Sequence, residues 1–237
     1  MTARPALLLA ALGLCACGPR GQPAPQAPDP TPAATPAPPA SARPAVAMAQ
    51  APAAESYVLP GDFAPDTRVA QLEQRYGKDA VRVGDVPGAE GETVHGAILF
   101  ADDPSRRAYL YFEDAEALRG LQLVRVLDDG SRWHFADGIG IGTPLSRLVA
   151  MNGKPIRFLG FDWDYGGAVT DWNGGALAPA VDKPVIRQIH LNHRGAPSEA
   201  YPSGDSEFAS DDPRWPRLGD VAVVGEIAVS FPGEDDL

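Results

Sequence analysis

Residues 138–167 read GIGIGTPLSRLVAMNGKPIRFLGFDWDYGG, and the helix they spell decides how the rest of the chain is organised. Thr143 is a good helix N-cap, and Pro144 suits the first helical position, where a missing N–H costs nothing. Leu145, Leu148 and Val149 follow at helical spacing, and Gly153 after Asn152 stops the run. The stretch predicts a helix of about two turns, then a strand-like run, then an acidic and aromatic segment.

The same wording occurs earlier. Residues 66–81, DTRVAQLEQRYGKDAV, place Thr67, Leu72, Gly77 and Lys78 where the later copy has Thr143, Leu148, Gly153 and Lys154, at one offset and without a gap. The strand-like runs behind each helix repeat as well. AVRVGDV, TVHGAILFA, RAYLYFE and LQLVRVL come after the first helix, and PIRFLGF, GAVTDW, VIRQIHLN and VAVVGEIAVSF after the second. Alternation and β-branched or aromatic content mark most of these as strands, separated by turns such as DDPS, DDG and NGG. A short helical piece, EDAEAL, is expected within the first set. The prediction is an α+β domain of two similar units, 55–137 and 138–237, each a short helix packed on an antiparallel sheet. One such unit has a thin core, so the two should pack together.

The pattern G-x-x-x-x-x-L-x-x-x-x-G-K-P, met at Gly142, Leu148, Gly153, Lys154 and Pro155 ahead of antiparallel strands, resembles two known types. One is the SmpA/OmlA type of small outer-membrane lipoprotein, and the other is the tandem module of the β-lactamase-inhibitor-protein type. The resemblance implies scaffolding or inhibitory protein binding rather than catalysis. The acidic, aromatic segment after the second helix departs from it.

The chain opens MTARPALLLAALGLCACG. One basic residue, Arg4, precedes an apolar run, Pro5 to Leu14, that is too short to span a bilayer and has the shape of a signal peptide. Cys17 has Leu14 three residues before it and Ala16 just before it, so LCAC resembles the lipobox of bacterial lipoproteins. Cys15 would need cleavage after bulky Leu14. The resemblance implies removal of residues 1–16, acylation of Cys17 and attachment to the membrane through its lipid. Gly18 rather than aspartate comes next, which favours the outer membrane, with the domain facing the periplasm. The rest of 17–54 is mostly alanine and proline. Such a segment buries too little apolar surface to fold and predicts a disordered, semi-rigid linker, reaching on the order of 100 Å.

The two cysteines of the chain both lie in this leader, which excludes disulfides and thiolate chemistry from the domain. The formal net charge is −11, and nearly all of the 31 acidic residues lie in the domain, which argues against nucleic acid and against lying flat on an anionic membrane. No G-x-S-x-G elbow, phosphate loop, dinucleotide fingerprint or H-E-x-x-H occurs, and no metal or cofactor is expected. The glycines of GIGIGTP read as turn and cap.

The segment GFDWDYGGAVTDWNGG, 160–175, is the most distinctive. As a strand it would aim Phe161, Trp163 and Tyr165 at one face and Asp162 and Asp164 at the other. In one reading the aromatics fill the core and the acids face water. In the other, Trp163, Tyr165 and Trp172 form an exposed patch that anchors a protein partner or stacks on sugar, with Asp162 and Asp164 beside it. The same two acids are the candidates if the protein is a peptidoglycan-directed binder or hydrolase. As a calcium loop the stretch fails, because Asn173 stands where the closing Glu belongs. His190 and His193 of HLNH sit three apart in a strand-like run, point to opposite faces and cannot share a metal. Residues 194–220 read as a long polar loop pinned by Tyr201, Phe208 and Trp215, or as a lid beside Trp163. The leading expectation is a lipoprotein serving as a non-catalytic protein-binding or scaffolding module, and a purely structural lipoprotein is the third possibility.

Overall fold

The structure, a computed structural model, describes residues 57–179 and 185–231. Cys17, the signal segment and the proline-alanine linker lie outside the described residues. In chain order the elements are β1 (Val58–Leu59), α1 (Val69–Tyr76), β2 (Val81–Pro87), β3 (Thr93–Leu99), β4 (Ala108–Asp114), β5 (Arg119–Val126) and β6 (His134–Phe135). Next come α2 (Leu145–Asn152), β7 (Arg157–Leu159), β8 (Val169–Asp171), β9 (Ile186–Asn192), β10 (Glu207–Ala209), α3 (Leu218–Val221) and β11 (Val223–Ser230). The protein is α+β, built of mostly antiparallel sheets and a few short helices.

The repeat is visible atom by atom at the entry to each helix. Ala64 N–H donates to Thr67 Oγ1 at 2.9 Å, and Thr67 N–H donates back to the Ala64 carbonyl at 2.9 Å. In the later copy Gly140 N–H donates to Thr143 Oγ1 and Thr143 N–H donates to the Gly140 carbonyl, both at 3.1 Å. The threonine therefore closes the turn before the helix rather than capping it, and the N-cap is the next residue, Arg68 or Pro144, each with extended backbone. The sequence placed Thr143 and Pro144 one position too far into the helix; the hydroxyl is already taken by the turn. Gly153 ends α2 in the left-handed conformation at φ 72°, a geometry that glycine reaches without penalty.

The main sheet has six strands in the order β2-β3-β4-β5-β11-β9, every neighbouring pair antiparallel. Four strands come from the chain before α2 and two from the chain after it. The remaining strands make a three-stranded sheet, β10-β7-β8, and a short parallel pair, β1-β6. All described residues belong to one compact unit, Ala51–Leu237. Leu72 of α1, Leu145 and Leu148 of α2 and Leu218 of α3 share a single buried core with Leu110, Val124, Ile227 and Val229 of the sheet.

Three local readings are corrected. EDAEAL is not helical: 115–118 form the turn between β4 and β5, where Leu118 takes φ 50° and Ala117 N–H donates to Asp114 Oδ1. Residues 162–167 do not continue a strand, so the predicted alternation of Trp163 and Tyr165 against Asp162 and Asp164 does not arise; Asp162 at φ 67° breaks the extended backbone. Residues 194–220 are not one long loop, since they hold a 3₁₀ turn (Ser198–Ala200), β10 and most of α3, but the three aromatics do pin the stretch: Tyr201 is buried, and Phe208 and Trp215, edge-on at 5.3 Å, pack against the core.

A sheet and core shared by both halves should melt as one body. Leu148→Ala is expected to cost about 2–5 kcal/mol. Denaturant unfolding of the variant, followed by tryptophan fluorescence and by circular dichroism, should give coincident single transitions. Separate transitions for the two signals would show that the halves fold independently.

Candidate functional site

One face of the six-stranded sheet carries the core, and part of the other forms the floor of a cleft. Along β5, Val124 and Val126 are buried while Leu123 and Arg125 turn to the opposite face. Register sets their neighbours: Ala228 of β11 lies between Arg125 of β5 and Gln188 of β9, and Glu226 lies opposite His190. Glu226 owes its direction to an irregularity between Val224 and Glu226, where Gly225 stands. A side chain there would come within 2.6 Å of Asn192 Cβ, so the bulge that aims Glu226 at the open face requires glycine.

Two walls rise from this floor. The first is the tip of the β2–β3 hairpin, Gly88 to Gly91, held down through the Pro87 carbonyl, which accepts from Tyr111 Oη at 2.6 Å and from Arg125 at 3.3 Å. The second is the turn 163–167, docked on the edge of β9 where Leu191 N–H donates to the Gly167 carbonyl at 2.7 Å. Any Cβ at Gly167, whose φ is 78°, would overlap the Leu191 carbonyl oxygen. Gly167 of DYGG thus lets the turn approach the sheet, while Gly166 packs against the turn's own backbone at Trp163 and Gly160. The open cleft between them measures about 430 Å³, with Leu123, Arg125, Gln188, His190 and Glu226 below and Ala89, Glu90, Asp164 and Tyr165 at the sides.

The floor is electrostatically settled. Arg125 Nε and Nη2 donate to the two carboxylate oxygens of Glu226, each at 2.9 Å, and both side chains are half-buried. Burial weighs against charge on Arg125, but the Glu226 hydrogen bonds outweigh it and hold the guanidinium above its ordinary range. Burial pushes the Tyr111 phenol up, opposed by Arg125. Burial also pushes the His190 imidazole below 6.5, with Glu226 opposing and Arg125 reinforcing, so the ring is neutral at pH 7.

The five residues singled out in the acidic, aromatic segment are dispersed. Tyr165 is 52% exposed at the rim, with Asp164 beside it. Trp163 is half-buried outside the cleft, meeting Tyr165 edge-on at 5.4 Å and donating its indole N–H to the Gly160 carbonyl at 2.8 Å. Trp172 is half-buried and lines a neighbouring depression of about 440 Å³ between β8 and β9, which shares Gln188 and His190 with the cleft. Asp162 lines neither; its carboxylate accepts from His193 Nε2 and from Ser203 Oγ, both at 3.1 Å. His193 in turn stacks on Tyr201 at 4.1 Å, and burial followed by the Asp162 charge pushes the Tyr201 phenol up. Asp162 therefore ties residues 193–203 to the turn. Among the described residues no group of three or more His, Cys, Asp or Glu side chains could hold a metal ion.

The floor went unread in the sequence, although it left a signal. LQLVRVL has one cation and VAVVGEIAVSF one anion as the sole charge in each mostly apolar run. Lone half-buried charges need partners, and opposite signs in two strands of one sheet point to each other.

No protein-family model matches the chain, and no curated protein sequence matches it. Among solved structures the chain is similar to the uncharacterised protein YfeY from Escherichia coli, with 18% identity over 73% of this chain and 95% of that one, at a TM-score of 0.38. A likeness at that score carries no inference about this chain.

Because the folded His190 resists protonation, the unfolded chain binds the proton more readily below the ordinary value of 6.5. Its contribution to stability is complete above that pH and is lost as the pH falls beneath it. The melting temperature should therefore drop between about pH 7.5 and pH 5.5, and His190→Gln should flatten part of that slope. Equal slopes in parent and variant would remove His190 from the linkage.

Proposed function

We propose that the protein is an acylated envelope lipoprotein whose domain is a non-catalytic binding module for an envelope protein. The observation that carries the binding reading is the exposed ring of Tyr165 at the lip of a cleft with a polar, charge-paired floor. Large amphipathic aromatics at such positions are the usual anchors of protein interfaces. A catalytic use has less support. General acid–base chemistry needs two groups facing one substrate, whereas Asp164 lines the cleft and Asp162 is engaged by His193 and Ser203.

The anchoring reading rests on the leader. LCAC ahead of Gly18, after a short apolar run, supports acylation at Cys17 and an outer-membrane address, and the linker of 17–54 supports a domain held away from its lipid. Among the described residues no helix is long and apolar enough to cross a membrane. Cys17→Ser, with the signal peptide kept, should abolish radiolabelled palmitate incorporation. Undiminished incorporation in the variant would refute the lipid anchor at Cys17.

The binding reading is tested by placing a photo-crosslinking residue at position 165 of the full chain in living cells. A discrete protein adduct is the expected result. An adduct that lysozyme digestion collapses would reassign the cleft to peptidoglycan. The absence of any adduct from a folded, acylated protein would mean that the rim is only surface.

A further inference from the structure

The occupant of the cleft can be narrowed by charge, and this step rests on the binding reading above. Three carboxylates, Glu90, Asp164 and Glu226, line the space against a single guanidinium, Arg125. Glu226 and Arg125 neutralise each other in a bidentate pair. Glu90 and Asp164 are exposed, stand on opposite walls, and have no hydrogen-bond or ion-pair partner for their carboxylates among the described residues. Next to Asp164, on the same wall, stands the exposed Tyr165 ring. An anionic occupant would meet two free carboxylates and an arginine already committed to Glu226.

We propose that the cleft receives a cationic side chain, lysine or arginine, from a segment of the protein partner: its charged head lies between Glu90 and Asp164, and its aliphatic stem or guanidinium plane lies on Tyr165. The physical basis is complementarity on three counts. Carboxylates on two walls offer acceptors from both sides, which suits the several donors of an ammonium or guanidinium head. An aromatic face attracts a cation and packs against an alkyl stem. The floor supplies no second cation to repel the guest. A domain that holds nearly all of the chain's 31 acidic residues also steers positively charged partners toward it.

The test uses the full chain in living cells with the crosslinker at Ala89, which is exposed at the hairpin tip and leaves Tyr165 intact. The double variant Glu90→Gln, Asp164→Asn is compared with a control, Glu116→Gln, Asp211→Asn, that removes equal charge elsewhere on the surface. The expected result is an adduct whose yield falls about tenfold in the first variant and not in the control. The partner peptide recovered by mass spectrometry should carry Lys or Arg next to the crosslinked position. An undiminished adduct in the first variant overturns this inference and leaves the binding reading standing. Equal loss in both variants overturns it too, by showing long-range attraction rather than a seat in the cleft. A lysozyme-sensitive adduct, or a partner peptide without Lys or Arg, likewise overturns it. No adduct in any background removes the binding reading and this inference together.

Discussion

Everything that positions the cleft depends on where β11 pairs. The last strand of the described chain inserts between β5 and β9 and bonds antiparallel to both. Val223, Val224, Ile227, Ala228 and Val229 are buried, as a central strand with a covered face requires. Without this strand the meander β2–β5 would end at β5, and β9 would have no sheet to join. With it, a hairpin tip from early in the chain and a turn from late in the chain face each other across one floor. The site belongs to neither half alone.

That insertion brings an electrostatic constraint with it. Arg125 on β5 and Glu226 on β11 cross the seam between the halves, both largely withdrawn from water. A pair of this kind adds little net stability over an apolar substitute, but loss of one partner strands the other charge. Its effect is therefore on specificity of pairing: a shift of β11 by one residue would carry Glu226 into the core face. Arg125 also reaches the Pro87 carbonyl, as Tyr111 does. The same guanidinium that fixes the register of the seam thus helps hold down the hairpin wall.

How much of this was legible depended on the range of the physics involved. The helices could be read because their signals are local: Leu148 at helical spacing, Gly153 at the stop, and an earlier copy in Leu72 and Gly77. The strands could be read from alternation, and the α+β class came with them. The threonines were misread by one position because capping and turn-closing use the same hydroxyl, and only the backbone angle at Pro144 separates them. EDAEAL looked helical by propensity, but four residues between paired strands leave no room for a helix, and the β4–β5 register overrides preference. The cleft was not legible, because it depends on β5 and β11 becoming neighbours across a hundred residues.

The acidic, aromatic segment shows the same limit at a finer scale. Its two candidate acids are separated by one residue, yet they do different work. Asp162 adopts a left-handed backbone at φ 67°, which asparagine and aspartate tolerate better than most residues. The strand ends there and the carboxylate turns toward His193 and Ser203. Past Trp163, whose indole N–H donates to the Gly160 carbonyl, the chain reverses, and Gly167 brings it against β9. Asp164 and Tyr165 are then left on the outside of a turn that packing has already fixed from within. The segment is therefore packing and surface at once, and the division runs residue by residue: Phe161 belongs to the core, Asp162 to the brace, and Asp164 and Tyr165 to the rim.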